Sequence, residues 1–579
     1  MIDQTPVPAR NRKSRVIAAA ALAAMIATLC GCSASAPPRT SSREIEREDE
    51  VAVVRDMLRR EAHLEECKTA LAQLNSAFNR PDSARPSALS ESEVEFLARK
   101  TGLGEDDLKF VQGDQFPIAD AYYLEETLLL NEAVRSLRFR KEVASAERAE
   151  RALGWVSRQV WLLEHSSKPL PTALVLRLGY GNTGERAAVA LSVLQQAGID
   201  AGLVAEPKGD RPPRPWAVGV LLDGQVRLWD PRSGRWLVEP NSDRPLTLQQ
   251  ARANPEWVKP LVEAADPGVD FRQVVPASRV GLSPPIFALS ARMRWLQTIL
   301  ERDPPVRLAV EASALQGRWR QAGEDIAFWL SAGTPARSLL DYVPVAEGGR
   351  SNEAPGARLY ERCRMALIPA QQMPSLLRNN EIAGELRDRL SAVFSARFLE
   401  LALEPRKPRD LILRGQFDEA GRLLNEALTS VQNTQQRVGS QQDLEQDAAA
   451  WAKEMQSATA ALSRMRDRPQ PGDDLAGARA RVDTLNKAAG KMLLLIEQAA
   501  AEPYAAALTY QMALSLHEQA ERQAHDRRSA ENKRAAWNNA AGWWNNFLTR
   551  FGAAPWIPKP QIEQARSLLA IAQQEAAKP

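Results

Sequence analysis

Cysteine and histidine are scarce in this chain of 579 residues, which has four of each. The histidines, at positions 63, 165, 517 and 525, are dispersed, and neither a Cys-x-x-Cys nor a His-Glu-x-x-His spacing occurs. Protein metal sites are built from ligands that cluster at such spacings. The sequence therefore indicates no metal site, and it offers no signature of a cofactor.

An excess of charge of one sign is also absent, since 75 basic residues face 72 acidic ones. Without residues 1–31, which carry four basic residues and one acid, the formal net charge falls from +3 to zero. No basic run stands beside an aromatic platform. Because nucleic-acid-binding surfaces need a concentrated positive patch, we exclude nucleic acid as a partner.

Long apolar runs are limited to Val16–Leu29, which is shorter than the roughly 20 residues of a membrane-spanning helix. Four basic residues precede it, at positions 10, 12, 13 and 15. A basic region followed by a short apolar core is typical of a secretory signal peptide. The sequence therefore predicts that the chain is exported.

The residues after this run, Leu29-Cys30-Gly31-Cys32, resemble the lipobox of bacterial lipoproteins. The resemblance implies a signal peptide over residues 1–31, cleavage before Cys32 and a diacylglycerol on its thiol, followed by a flexible tether over 32–45. Lipid chains of this kind anchor a protein stably to a membrane. Ser33 in place of aspartate implies the outer membrane, facing the periplasm. The alternative is an ordinary signal peptide with a coincidental cysteine.

Two cysteines, Cys67 and Cys363, remain for the exported chain once Cys30 is removed and Cys32 is lipidated. In an oxidising compartment they can form a disulfide, and they can equally be two separate buried thiols. The sequence leaves both possibilities open.

Hydrophobic periodicity predicts a mainly α protein with a small α+β domain between helical regions. Residues 46–166 read as helical, and the short apolar runs of 167–245 include strands. Beyond residue 245 the pattern predicts helices only, in two regions, 246–430 and 431–579.

The carboxyl-terminal half is similar to helical-repeat and coiled-coil proteins. The stretches QGRWRQAGEDIAFWL at 316–330 and RGQFDEAGRLLNEAL at 414–428 resemble the second helix of a tetratricopeptide repeat. Residues 431–579 predict a long helical hairpin with a seam at Trp537, Trp544 and Phe551. Gly490 and Pro503 predict a break between 475 and 551.

The central region contains a helix predicted from Thr183 to Ala197, a stop at Gly198, and a hairpin around Asp223-Gly224. Together with Gly181-Asn182-Thr183, Gly198-Ile199-Asp200-Ala201 and Trp229-Asp230-Pro231, this order resembles the transglutaminase-like core of papain-type thiol enzymes. In that family a cysteine at the helix start is activated by a histidine that an aspartate orients.

The resemblance places Thr183 in the cysteine position, Pro215 in the histidine position and Asp230 in the aspartate position. Threonine is a weak nucleophile without an adjacent base, and proline supplies no base. We therefore expect no catalytic residue here; His165 is an alternative source of a base. The cleft would present Thr183, Trp216, Trp229 and Asp230 to a ligand, unless the tryptophans pack on the helix. Asn182 and Glu185 predict a capping box.

These features predict a lipid-anchored cell-envelope binding or scaffold protein with an inactive transglutaminase-like domain and a helical surface for a protein or peptide partner. Two alternatives stay open. One is an envelope peptide hydrolase or acyl transferase with a rearranged nucleophile, and the other is a purely structural periplasmic spacer.

Overall fold

The protein is described by a computed structural model. It describes residues 51–58, 62–79, 86–139, 142–163, 169–207, 214–300, 305–330, 334–346, 408–436, 450–525 with short gaps, 529–555 and 557–578. The predicted signal peptide, the tether, Cys32, His165 and Cys363 lie outside these residues.

The described chain is mainly helical, as predicted. Its amino-terminal part forms five named helices: α1 (Leu64–Phe78), α2 (Glu91–Lys100), α3 (Glu105–Gln112), α4 (Ile118–Ser136) and α5 (Ser145–Gln159). Helix α2 begins with a capping box, in which the Ser90 hydroxyl accepts from the Glu93 backbone N–H and the Glu93 carboxylate accepts from the Ser90 backbone N–H.

Helix α5 ends at Gln159, before the end of the region 46–166 that the sequence predicts to be helical. Val160 is extended, and Trp161–Leu162 (β1) pairs in parallel with Tyr180–Gly181 (β2). The rings of Trp161 and Tyr180 lie 4.9 Å apart, centroid to centroid. The aromatic and β-branched residues at this point favour a short strand over another helical turn.

The central sheet has six strands in the order β6-β5-β4-β3-β7-β8. All neighbours are antiparallel except β7 and β8, which are parallel. The predicted hairpin is confirmed, since Asp223 and Gly224 have φ of 52° and 75° and join β4 to β5. The strands are β3 (Ala201–Ala205), β4 (Ala217–Leu222), β5 (Gln225–Asp230), β6 (Arg235–Trp236), β7 (Arg279–Leu282) and β8 (Ile326–Phe328).

Strands β7 and β8 correct the prediction of helices alone beyond residue 245. The stretch 316–330 is not a tetratricopeptide helix, because the helix before β8 ends at Gln321 and Gly323 adopts a φ of 78°. Trp329 then covers β7, where a Cβ on Gly281 would lie 2.0 Å from its ring. The sheet therefore extends well past the boundary expected at 245.

Helices cover both faces of the sheet. Helix α7 (Thr183–Gln196) packs with Val189 and Val193 in one apolar cluster that includes Val218 and Trp229. The other face packs against a second cluster from the amino-terminal helices and the helices that follow β6. The remaining helices between β1 and residue 346 are α6 (Thr172–Leu178), α8 (Leu248–Ala253), α9 (Lys259–Ala265), α10 (Phe271–Ala277), α11 (Ala291–Leu300), α12 (Ala312–Gln321) and α13 (Ser338–Ala346).

The carboxyl-terminal helices are α14 (Pro408–Leu413), α15 (Phe417–Gln436), α16 (Leu475–Ala524), α17 (Ala530–Phe551) and α18 (Lys559–Ala576). The predicted break at Gly490 and Pro503 is wrong, since α16 runs through both and is about 75 Å long at about 1.5 Å per residue. The chain turns instead before Ser529, whose hydroxyl accepts from the Asn532 backbone N–H.

The seam predicted on α17 is confirmed. Trp537, Trp544 and Phe551 are all buried. The ring of Trp544 lies 5.1 Å from that of Tyr510 on α16, in an edge-to-face arrangement. Over the described residues, no helix combines the length and apolarity that crossing a bilayer requires.

Candidate functional site at the amino terminus of helix α7

Helix α7 begins at Thr183 because the residues around it satisfy its free backbone N–H groups. The Asn182 side chain accepts from the Glu185 backbone N–H, and the Glu185 carboxylate accepts from the Asn182 backbone N–H, both at 2.9 Å. The other Glu185 oxygen accepts from the backbone N–H of Leu170 at 2.8 Å. The predicted capping box is therefore confirmed, and Glu185 also fixes the chain that leads into α6.

Thr183 itself is partly exposed, and Gly184 beside it is exposed. The start of α7 therefore reaches the protein surface. Pro215, in the position that the resemblance assigns to histidine, is also partly exposed and lies two residues before β4. As a proline it brings no titratable group to this end of the sheet.

The two tryptophans proposed for a ligand cleft lie in the interior. Trp216 is 1% exposed, and its indole N–H donates to the Ser278 hydroxyl at 3.1 Å. Trp229 is also 1% exposed and packs in the cluster beneath α7. The alternative, in which the tryptophans pack on the helix, fits Trp229, whereas Trp216 packs in the cluster on the other face of the sheet.

Asp230 is buried at the end of β5 and holds a turn. Its Oδ1 accepts from the Arg232 backbone N–H at 2.9 Å, and its Oδ2 accepts from the Ser233 backbone N–H at 3.0 Å. This is the local side-chain-to-backbone pattern for which aspartate is favoured in turns. Both carboxylate oxygens are thus engaged in shaping the chain after β5.

Arg186, which sequence reasoning missed, links this turn to the rest of the fold. Its guanidinium donates to the carbonyls of Pro231 and Arg232 at 3.2 and 3.1 Å, and to the carbonyl of Ser157 at 2.8 Å. Burial lowers its pKa to about 10, although Asp230 acts in the opposite direction. The sequence offered one signal for this role. Arg186 precedes the apolar run AAVAL, which predicts that the arginine is buried, and a buried charge requires partners within the fold.

The carboxyl end of α5 meets three donors at this point. Arg186 and Gln564 both donate to the Ser157 carbonyl, and Gln564 donates to the Arg158 carbonyl at 2.7 Å. Arg409 on α14 donates to the Gln159 carbonyl at 2.8 Å. Two buried arginines and the Gln564 amide therefore satisfy the last carbonyls of α5, where the helix dipole favours the positive charge of the arginines.

A bidentate ion pair joins α5 to α16 beside these caps. Arg158 donates to both carboxylate oxygens of Glu518, at 2.9 and 3.1 Å, and the Gln159 side chain donates to Glu518 at 3.0 Å. Trp161 and Tyr180 belong to the same apolar cluster as helices α14 to α18. The carboxyl-terminal helices thus pack on the strand pair that leads into α7.

The histidines within the described residues have other surroundings. His517 is buried against Trp537 and Trp544, and desolvation lowers its pKa to about 3. His63 lies near Arg414, at 3.5 Å, and His525 near Glu521, at 3.8 Å.

Within the described residues, no group of three or more histidine, cysteine or acidic side chains could hold a metal ion. Cys67 is buried. No family model matches the chain, and neither a curated protein nor a solved structure matches it.

Proposed function

We propose that this protein is a lipid-anchored binding or scaffold protein of the cell envelope, held in the outer membrane through Cys32, with a central domain that has no acyl-transfer activity. The basic region, short apolar run and cysteine of the leader support the anchoring. The partner is a protein or peptide that contacts the helices.

One observation carries the non-catalytic part of the proposal. Asp230, the acid that would orient a histidine, uses both oxygens on backbone N–H groups of its own turn. The histidine position is Pro215. Orientation of a base by a carboxylate is central to catalysis in triads of this type, and this pair of residues cannot provide it.

The packing of the carboxyl-terminal helices supports a scaffold role. Arg158, Glu518 and Gln564 join these helices to α5 through buried polar contacts. Such contacts hold the helices in one orientation relative to the sheet, since misplacing them would leave buried groups unsatisfied. A partner surface on the helices would therefore be rigidly connected to the central domain.

Capture of partners from solubilised envelopes tests the proposal. The full chain would be compared with Cys32→Ser, which removes the lipidated thiol, and with Thr183→Arg, which adds a long side chain at the start of α7. Ser192→Arg adds the same side chain farther along α7 and serves as the control.

We expect the wild type to be labelled metabolically by a lipid analogue and to fractionate with the outer membrane. Cys32→Ser should lose both properties. A specific protein or peptide should copurify with the wild type and with Ser192→Arg. Hydrolysis or transfer of envelope peptides that Thr183→Ala abolishes would overturn the proposal, as would an unlipidated chain in the soluble fraction.

A further inference from the structure

A cavity of about 300 Å³ lies at the end of α7 opposite to Thr183, where the helix leads into β3. Its wall combines the last turns of α7, the start of β3, the residues after β7, and parts of α11 and α12. Because α7 has 14 residues, about 20 Å separate its two ends. The cavity is therefore distinct from the Thr183 region, and an inference about it does not rest on the proposed function.

Arg307, an exposed residue, brings an unpaired positive charge to this wall. Its Nη2 lies over Gly198, where an added Cβ would be 2.6 Å away. Among the described residues, none accepts a hydrogen bond from the guanidinium, and Asp200 is instead hydrogen-bonded to Arg318, at 3.0 Å. Desolvation lowers the pKa of Arg307, Asp200 opposes this, and Arg318 and Arg148 lower it further. An anion in the cavity would offset the repulsion of Arg307 by Arg318 and Arg148.

A second donor on the wall also has no acceptor within the part of the chain that the structure describes. The side-chain nitrogen of Gln195 makes no hydrogen bond and has almost no accessible surface, so it donates to a ligand only when its side chain rotates toward the cavity. Gln297, another wall residue, has its carbonyl oxygen occupied by the backbone N–H groups of Leu308 and Ala309, at 2.8 and 3.0 Å. The cavity therefore offers hydrogen-bond donors that a ligand with acceptor oxygens would satisfy.

The charge and apolarity of the wall narrow the ligand class. Arg294 is paired with Glu93 at 2.8 Å, and Arg318 is paired with Asp200. Arg307 is therefore the cation of the wall without a carboxylate partner among the described residues, and Glu311 on the same wall disfavours a dianion. The rest of the wall is largely aliphatic. Its apolar members include Leu191, Ile199, Leu282, Pro284, Val310 and Leu315.

We infer that this cavity binds a monoanionic carboxylate on a short aliphatic body, with Arg307 and Gln195 donating to the carboxylate oxygens. A planar guanidinium matches a carboxylate through two parallel N–H donors. The aliphatic body would lie against the leucine, isoleucine and valine side chains, as is common for small-ligand sites of this size. A peptide carboxyl terminus and a short fatty acid both carry this chemistry.

Calorimetric titration of the full chain would use N-acetyl-leucine for the peptide terminus and 4-methylpentanoate for the fatty acid. N-acetyl-leucinamide removes the charge at nearly constant shape, and inorganic phosphate offers charge without the aliphatic body. Arg307→Gln and Gln195→Leu would be compared with Arg320→Gln, which removes an exposed arginine of α12 outside the wall.

We expect at least one of the two acids to bind, with the amide and phosphate at least tenfold weaker. Arg307→Gln should weaken binding about tenfold or more, Gln195→Leu a few-fold, and Arg320→Gln not at all. The preferred acid identifies the source of the ligand. Equal binding of the amide, tighter binding of phosphate, unchanged affinity in Arg307→Gln, or no binding of either acid at millimolar concentration would overturn the inference.

Discussion

The ion pair between Arg158 and Glu518 gives the sharpest test of how the carboxyl-terminal helices are held. Their side chains are 14% and 4% exposed, so removal of one partner leaves a buried charge. Breaking a buried pair from one side costs about 3–5 kcal/mol. Because Glu521 stays within 4.0 Å of Arg158, we expect the isosteric Glu518→Gln to lower the free energy of unfolding by about 3 kcal/mol, the lower end of that range.

Urea unfolding followed by tryptophan fluorescence and far-ultraviolet circular dichroism measures this loss. Glu521→Gln is the comparison on the same helix, and it should cost less than Glu518→Gln because its contact with Arg158 is longer, at 4.0 Å, and its side chain is 30% exposed. The double variant Arg158→Met/Glu518→Leu replaces both charges with apolar groups and leaves only the Gln159 amide without its acceptor, so it should be less destabilised than Glu518→Gln. A cost under about 1 kcal/mol for Glu518→Gln, or a double variant as unstable as the single one, would refute the reasoning.

Three further substitutions address individual buried groups. The pKa of His517 falls from about 6.5 to about 3 on folding, so its contribution to stability is lost as the pH falls below 6.5. The free energy of unfolding, measured by urea melts, should decline by about 2 kcal/mol less between pH 6.5 and 5 in His517→Phe than in the wild type. Burial raises the pKa of Glu126 to about 7, so its contribution to the free energy of unfolding is present at low pH and is lost as the pH rises from 4.5 to 7. Glu126→Gln, which still accepts from the Ala173 N–H, should remove about 3 kcal/mol of this loss of stability. An unchanged pH profile would contradict the assignment. Gly281→Ala should lower the unfolding free energy by about 2–3 kcal/mol because Trp329 must move, whereas an unchanged thermal midpoint would mean that the ring shifts freely.

Local sequence signals predicted several parts of the fold. The hairpin at Asp223-Gly224 and the capping box of Asn182 and Glu185 depend on neighbouring residues, and both are present. The seam on α17 follows from heptad spacing within one helix. The hairpin and the capping box are set by contacts within a few residues along the chain, and the seam is set by spacing within one helix.

The errors occur where distant partners decide the conformation. Residues 326–328 are a strand because β7 lies beside them, and the periodicity of their own segment favoured a helix. Pro503 stays inside α16 although it removes a backbone donor, since the residues after it, from Ala505 to Leu514, pack in the carboxyl-terminal core.

The candidate site shows the same division. The position of Thr183 at the start of α7 follows from the local cap, whereas the burial of Trp216 depends on Ser278, which lies 62 positions later in the chain. The structural role of Arg186 depends on carbonyls from two separate segments, at 157 and 231–232. No local pattern encodes such contacts.

The hydrogen bond from Gln564 to the carbonyl of Ser157 spans 407 positions of the chain, and it has a consequence for biogenesis. During synthesis the amino-terminal part emerges first. Strand β3 cannot pair with β7 until β7 has been synthesised, and the end of α5 cannot be capped until α14 and finally α18 have emerged. Contacts of such sequence separation slow folding because a long loop must close before they form. A chain that stops short of α18 would therefore leave the last carbonyls of α5 without the Gln564 donor, and we expect nascent fragments to depend on chaperones until the last helix is made.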